Sequence, residues 1–461
     1  MFDCIGKQEI LKIVIVGLGR MGFSLAQQLD EEGHELIVVD TDKEKIQQTT
    51  TVIDCLGIAE SGFNLSHLED QNMGNLDLLI AVTGSDEVNL ITCLLAEKMN
   101  VPKRIARIES SKLIEQLIEN HDIDFINPEA ITVERLKVMC TQSGTTDSTD
   151  FASGSILMKA FLITKGNVFA GKTLVELRQN SSIPFVVAMV RRGEDLFTAT
   201  GDTIFMVSDT IYVFLNKENL DQFIKDHNFR RCANRVIVFG ASSLGVKLCS
   251  ELENEIEDLI LIEPEQATVN QSSEHLLSTS IIHGSPFDKN LLEDLKCENT
   301  DYFIAISDND EANLAAALMA KRLGALTTVT LTSQPEYVEI FEPLPHLDAV
   351  VSPIFLSVGN VIKQVRGDKI LTLTMFAGRR GEAFEVEVAL GASVENKAVK
   401  EAGFPEGLIL AAVIEDEQAF LPDGDTVLKA GMKIIAVAAR DVAIKSTKLF
   451  GNEKKDRLSI F

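Results

Sequence analysis

The chain is written twice. Lys12-Ile-Val-Ile-Val-Gly17 is answered by Arg235-Val-Ile-Val-Phe-Gly240, so the two glycines stand 223 positions apart. The same spacing separates Asp40, closing the apolar run Leu36 to Val39, from Glu263, closing Leu259 to Ile262, and Gly201-Asp-Thr203 from Gly424-Asp-Thr426. Ala81-Val-Thr-Gly-Ser-Asp-Glu-Val-Asn-Leu90 returns as Ala305-Ile-Ser-Asp-Asn-Asp-Glu-Ala-Asn-Leu314, one position further on. Two such units account for nearly all of the 461 residues. Whatever one half folds into, the other half folds into as well.

Each unit has two parts. In the first, short β-branched runs (Ile13 to Val16, Leu36 to Val39, Leu78 to Val82, Ile105 to Ile108) alternate with helical periodicity (Phe23 to Leu29, Val88 to Met99). Strand and helix in alternation predict a parallel sheet of right-handed βαβ units, a Rossmann-like α/β lobe. Pro128 after Asn127, and Pro353 after Ser352, read as a cap followed by a first-turn proline opening a long helix that closes each lobe. The second part is β-rich: Ile156 to Ile163 and Phe205 to Leu215 read as strands, with Gly171 to Leu177 a short helix between them. The expected organisation is a first lobe over 1–140, a polar linker over 141–153, a small α+β module over 154–229, a second lobe over 230–366 and a second module over 367–461.

Composition narrows the class. With 43 Lys+Arg against 69 Asp+Glu the formal charge is −26. Nucleic acid is excluded as a partner, since phosphate contacts need clustered basic residues. Direct docking on anionic lipid is excluded for the same reason, so association with a membrane must run through a protein offering a basic face. No apolar run reaches the length of a membrane span; Ile183 to Val190 and Leu408 to Ile414 are strand-sized. Met1-Phe-Asp-Cys4 lacks the basic-then-apolar order of a signal peptide. Seven cysteines without Cys-x-x-Cys fit reduced thiols in a cytosolic chain, and seven scattered histidines without His-x-x-x-His give no metal signature.

The chemistry is concentrated at the first lobe's opening turn. Gly17-Leu-Gly-Arg-Met-Gly22 follows a strand and opens a helix, and Asp40 closes the next strand. In that setting Gly17, Gly19 and Gly22 allow a tight turn and close approach of Leu18, Arg20 and Met21 backbone to a diphosphate at the helix N-terminus. Asp40 is placed to accept both hydroxyls of an adenosine ribose and to repel a 2′-phosphate, favouring NAD-type or adenine nucleotides over NADP. Arg20 either reaches a phosphate or is a solvated helix-start residue. Thr83 and Gly84 close the fourth strand, where strand order reverses in such sheets. Asp86 either caps the next helix or meets the ligand, and Asn89 follows it. Arg107, ending the fifth strand on the same edge, either meets the ligand or forms a surface salt bridge. The second loop, Gly240-Ala-Ser-Ser-Leu-Gly245, has Ser242 in place of the middle glycine and Ser243 in place of Arg20, while Leu331 replaces Arg107. Glu263 is still suited to a ribose, but weaker, different or absent nucleotide binding is expected there.

No catalytic constellation accompanies the nucleotide loop. None of Tyr212, Tyr302 or Tyr337 begins Tyr-x-x-x-Lys, residues 155–225 contain no histidine, and neither Gly-x-Ser-x-Gly nor a P-loop occurs. A dehydrogenase needs a proton-transfer group beside the nicotinamide. The expectation is a nucleotide that signals rather than reacts, with an NAD-dependent oxidoreductase as the weaker alternative.

Gly17 to Gly22, Asp40-Thr-Asp42, Ala81 to Asn89, Arg104-Ile-Ala-Arg107 and the Gly-Asp-Thr of each module resemble the TrkA-type regulatory subunits of bacterial Trk/Ktr potassium uptake systems, tandem RCK proteins, over essentially the whole chain. The resemblance implies a cytoplasmic protein peripheral to the inner face of the cell membrane, held there by an integral-membrane potassium channel or transporter subunit that it gates in response to NAD(H) or ATP/ADP. It implies a nucleotide site of Gly17 to Met21, Asp40, Thr83, Gly84 and Arg107, and a second of Gly240, Ala241, Ser242, Ser243, Leu244 and Glu263. Lobes would pair through their closing helices into a homo-oligomeric ring, a dimer or tetramer. A regulator of potassium efflux shares these motifs. One departure stands out: where the family has Gly-Asp-Ala after the third strand, this chain reads Asp54-Cys-Leu-Gly57, and His283-Gly-Ser285 in the second copy.

Overall fold

The computed structural model describes residues 10–62, 76–110, 122–141, 145–193, 195–229, 233–344, 346–366, 370–376, 380–416, 418–439, 442–443 and 446–451. Lobe one is a six-stranded parallel sheet in the order β3-β2-β1-β4-β5-β6. Its strands are β1 (Lys12–Val16), β2 (Glu35–Asp40), β3 (Cys55–Ala59), β4 (Leu78–Ala81), β5 (Lys103–Arg107) and β6 (Asp124–Ile126). Its helices are α1 (Arg20–Glu31), α2 (Lys43–Val52), α3 (Asp86–Lys98) and α4 (Pro128–Thr141). The central strands β1 and β4 are apolar and almost wholly buried, as a sheet covered on both sides requires. Asn127 Oδ1 accepts from the Ala130 amide at 2.8 Å, so the Asn-Pro pair does start α4.

Module one holds α5 (Leu174–Gln179) and α6 (Leu220–Asp226) against an antiparallel sheet in the order β10-β9-β11-β8-β7: β7 (Thr145–Phe151), β8 (Ile156–Leu162), β9 (Val186–Arg192), β10 (Asp195–Thr198) and β11 (Thr210–Asn216). Thr173 and Glu176 form a capping box that starts α5. The polar stretch expected as linker is instead the edge strand β7, paired antiparallel with β8. Its Thr-rich sequence suits a strand, and an edge strand tolerates polar side chains because only part of its surface is covered.

Lobe two repeats the order as β14-β13-β12-β15-β16-β17, with β12 (Arg235–Phe239), β13 (Asp258–Glu263), β14 (Ser280–His283), β15 (Tyr302–Ala305), β16 (Thr327–Leu331) and β17 (Ala349–Val351). Its helices are α7 (Ser243–Leu252), α8 (Gln266–Ser272), α9 (Lys289–Asp294), α10 (Asp310–Arg322), α11 (Pro335–Phe341) and α12 (Pro353–Arg366). Module two is the antiparallel sheet β18-β19-β22-β20-β21: β18 (Ile370–Phe376), β19 (Gly381–Glu387), β20 (Ile409–Glu415), β21 (Gln418–Phe420) and β22 (Lys433–Ala439). The fold is thus a duplicated Rossmann-like lobe, each copy followed by a small strand-rich module.

The closing helices are exchanged. Val358, Val361, Ile362 and Val365 of α12, at helical spacing, complete the core of lobe one beside α1 and the near face of its sheet. Val133, Leu136, Met139 and Cys140 of α4 complete the core of lobe two beside α7. The two modules face each other in the same way: Phe151, Met158, Ala188 and Phe214 share one core with Ala383, Ala411, Ile414 and Val437. Five described cysteines are free thiols, and burial pushes Cys93 and Cys249 up to about 12. Cys4 and Cys232 lie outside the described residues. Among the described residues no helix is long and apolar enough to cross a membrane, and no group of His, Cys, Asp and Glu side chains could hold a metal ion.

Leu136 is fully buried in the other lobe's core. Leu136→Ala should therefore cost roughly 2–5 kcal/mol in lobe two rather than in lobe one. Hydrogen exchange should rise in β12 and β13 while β1 and β2 stay protected; the reverse pattern would refute the exchange.

Candidate functional site

The site is built on the turn that leaves β1. Gly17 takes φ +99°, and a Cβ there would lie 2.8 Å from the Thr83 backbone nitrogen. A Cβ on Gly22 would lie 1.8 Å from the Gly17 carbonyl oxygen, so these two glycines are dictated by contact between backbones. Gly19 is different: a Cβ there meets nothing within 4 Å, because it points into open space. No side chain caps α1 at Gly19. The first N–H groups of a 12-residue helix are left facing a cavity, with the positive end of the helix dipole behind them.

That cavity measures about 790 Å³. Of the residues expected at the first site, Gly17, Gly19, Arg20, Met21, Asp40, Thr83, Gly84 and Arg107 line it. Leu18 and Gly22 do not: the Leu18 side chain is buried in the lobe's core, and Gly22 seats α1 on the Gly17 turn. Asp40 works structurally as well. Its Oδ2 accepts from the Leu18 amide at 2.6 Å and its Oδ1 from the Asp42 amide at 2.9 Å, tying the glycine loop to the end of β2. Arg20 reaches across the cavity, where its Nη1 donates to the Ser333 carbonyl at 3.4 Å and Oγ at 3.3 Å, both on lobe two. Arg107 is paired with Glu109.

Helix α3 opens by a different device from the one expected. Ser85, not Asp86, is the cap: its Oγ accepts from the Val88 amide at 3.2 Å and donates to Glu87 at 2.7 Å, which holds the Glu87 carboxyl below its ordinary range. Asp86 instead accepts from the amides of Glu109 and Ser110 at 2.9–3.1 Å. Asn89 accepts from the Thr83 amide and hydroxyl and donates to the carbonyls of Thr83 and Arg107, fixing the ends of β4 and β5 together. Asp310 and Asn313 do the same in lobe two, with Thr332, Ser333, Ser307 and Leu331. The repeated Asp-x-x-Asn is scaffolding common to both lobes.

The lining also contains residues that the sequence pattern does not place at the site. Thr41 and Lys45 enter from the start of α2, one turn beyond Asp40. Glu60, Ser61 and Gly62 enter after β3. The third strand runs through Cys55–Ala59, so Asp54-Cys-Leu-Gly57 is mostly strand and the residues that follow it are Glu60-Ser-Gly62. Ser333, Pro353, Ile354 and Ser357 come from lobe two, brought in by the exchanged helix.

The second loop has the same backbone and a different finish. Gly240 takes φ +105°, and Glu263 latches the Ala241 amide at 2.8 Å and the Glu265 amide at 2.9 Å, as Asp40 does in lobe one. Ser242 caps α7: its Oγ accepts from the Gly245 amide at 3.3 Å and donates to the Ile306 carbonyl at 3.0 Å. Ser243 Oγ lies 3.3 Å from Glu129 of α4, and Leu244 packs against the core of lobe two.

The chain matches the TrkA-N domain model over residues 13–127 and again over 236–353, and the TrkA-C domain model over 158–227 and 383–451. It is 28% identical over 438 residues to the Trk system potassium uptake protein TrkA of Halomonas elongata, covering 92% of this chain and 95% of that protein. It is 26% identical over 453 residues to the Trk system potassium uptake protein TrkA homolog 1 of Methanosarcina mazei, covering 95% and 100%. Among solved structures, the GsuK RCK domain superposes with a TM-score of 0.60 at 16% identity, covering 95% of this chain and 94% of that one. The GsuK channel bound to NAD gives the same TM-score and identity over 97% and 80%. At such identity the likeness to GsuK is one of fold.

The contrast between Gly17 and Gly19 is directly testable. Gly17→Ala should lower the melting temperature sharply, by the ~1–3 kcal/mol that a strained position costs plus its clash with Thr83. Gly19→Ala should melt within a degree or two of wild type, since open space receives its methyl group. Equal losses in a thermal scan would refute the assignment.

Proposed function

This chain belongs to the family of proteins with tandem TrkA-N and TrkA-C domains, and from that premise we propose that it is a nucleotide-sensing regulatory subunit of a membrane potassium uptake system. The carrying observation is the cavity at the Gly17 loop, which has a floor from lobe one and a roof from lobe two. A nucleotide seated there would place its diphosphate over the uncapped start of α1 and its ribose beside Asp40. Arg20 and Lys45 supply positive charge in the same space. Asp40 disfavours a 2′-phosphate, so NAD(H) and the adenine nucleotides ATP and ADP are the ligands proposed. No reaction is required of them, and the protein is not read as an enzyme.

The route from ligand to output follows from connectivity. A ligand that touches both lobes acts on their relative position through its differential affinity for two arrangements; a coupling of about 1–3 kcal/mol is typical. Helices α4 and α12 lie at the lobe-to-lobe contact, and each runs within a few residues into the first strand of its module, β7 and β18. A rotation between lobes would therefore carry the modules with it. The net charge of −26 suits docking on a basic face of an integral-membrane potassium channel or transporter at the inner surface of the membrane. Pairing of these two-lobe chains into a larger homo-oligomeric ring is part of the same proposal.

The test is calorimetric titration of the full chain with NAD, NADH, ATP and ADP, with small-angle scattering on each mixture. At least one should bind and change the scattering profile; silence from all four would overturn the proposal. Arg20→Ala should shrink the difference between ATP and ADP affinities by about tenfold, the effect of one charge-assisted phosphate contact worth ~1.5 kcal/mol. An unchanged difference would remove Arg20 from the phosphate site.

A further inference from the structure

We infer that the glycine loop of lobe two is closed to nucleotides by a carboxylate that lobe one supplies, Glu129, and that Glu129 and its counterpart Ile354 decide which loop of the pair binds. The inference rests on the nucleotide reading above and goes beyond it by assigning selectivity between the two lobes.

The exchange of closing helices sets the first turn of each in front of the other lobe's loop. Facing the Gly17 loop are Pro353 and Ile354, the first residues of α12. Facing the Gly240 loop is Glu129, the residue of α4 that matches Ile354, while the Pro128 beside it lines the Gly17 cavity. Glu129 Oε1 lies 3.3 Å from Ser243 Oγ and 3.7 Å from Lys247 Nζ, and its side chain is only 28% exposed. Ser243 occupies the repeat position of Arg20 and Lys247 that of Ser24. Lobe one thus sets a guanidinium and an aliphatic side chain around an uncapped helix start. Lobe two sets a carboxylate there, held by a hydroxyl and an ammonium group.

A helix N-terminus attracts an anion. In lobe two the chain provides that anion itself, across the lobe contact, and the loop's own donor at Gly245 is taken by Ser242. An incoming diphosphate would have to displace Glu129 from Ser243 and Lys247, and would meet like charge until it did. The sheet, the glycine turn and the ribose acid Glu263 are intact in lobe two. The difference between the lobes is therefore in the side chains presented at the phosphate end, two of which come from the opposite lobe. The consequence is a single nucleotide per chain, bound in lobe one against a second lobe that does not respond.

The experiment is calorimetry on the full chain with ADP and with NAD as probes. Wild type should bind one nucleotide per chain. Ile354→Glu should weaken binding by about tenfold or more, through like charge at the phosphates and an ion pair that occupies Arg20. Ile354 also packs against the core of lobe one, so Ile354→Gln, uncharged and of the same size as Glu, is the comparison: it should share any loss of melting temperature and bind more tightly than Ile354→Glu. Glu129→Ile with Ser242→Gly should raise the stoichiometry to two. Two sites in wild type, wild-type affinity in Ile354→Glu, or a stoichiometry still of one in the folded double variant would each overturn the inference. If the double variant does not fold, the Ile354→Glu measurement decides. Absence of binding to wild type by either probe would be the failure of the nucleotide reading itself, and this inference would fall with it.

Discussion

Everything distinctive in this molecule depends on how the two sheets are covered. A parallel sheet of apolar strands needs helices on both faces, and the near face of each sheet is covered chiefly by the other lobe's closing helix. Helix α12 covers that face of lobe one beside α1, and α4 covers the matching face of lobe two beside α7. Separating the lobes would expose Val358, Val361 and Ile362 on one side and Leu136, Met139 and Cys140 on the other. At about 1.5–3 kcal/mol for each fully buried side chain of this size, that exposure is prohibitive, so the two lobes hold together as one unit.

The same exchange makes each loop a shared site. Because the first turn of a closing helix comes to rest against the other lobe's glycine loop, each loop's surroundings are written in the opposite half of the sequence. A duplicated chain is then free to diverge at a handful of positions and give two lobes with one backbone and two electrostatic characters. Arg20 against Ser243 and Ile354 against Glu129 are such pairs. The latches of Asp40 and Glu263, and the clamps of Asn89 and Asn313, are unchanged between lobes because they hold the turn itself in shape.

Much of this was legible in the residues. The glycine pattern, the acid closing the next strand and the Asn-Pro helix start each have a local cause, and each stands where local causes put it. Elsewhere one local signal is compatible with two physical outcomes. Asp86 at a helix start suggested a cap, but Ser85 beside it took that role and Asp86 turned to the Glu109 loop. The polar stretch before Phe151 suggested a linker, yet an edge strand accepts the same residues. The third strand lay a few residues later than the Asp54-Cys-Leu-Gly57 comparison assumed, which brings Glu60 and Ser61 to the cavity.

By itself the sequence determined the duplication, the lobe-then-module order, the glycine turn and the acid that latches it, because periodicity, glycine conformation and short-range hydrogen bonds act over a few residues. Only the tertiary structure decided that α4 and α12 change places, that Ser333 and Ile354 roof a cavity founded on Gly17, and that Glu129 fronts the second loop. Those contacts join residues more than a hundred positions apart. Their cause is the need to cover two apolar sheet faces at once, which no local stretch of sequence expresses.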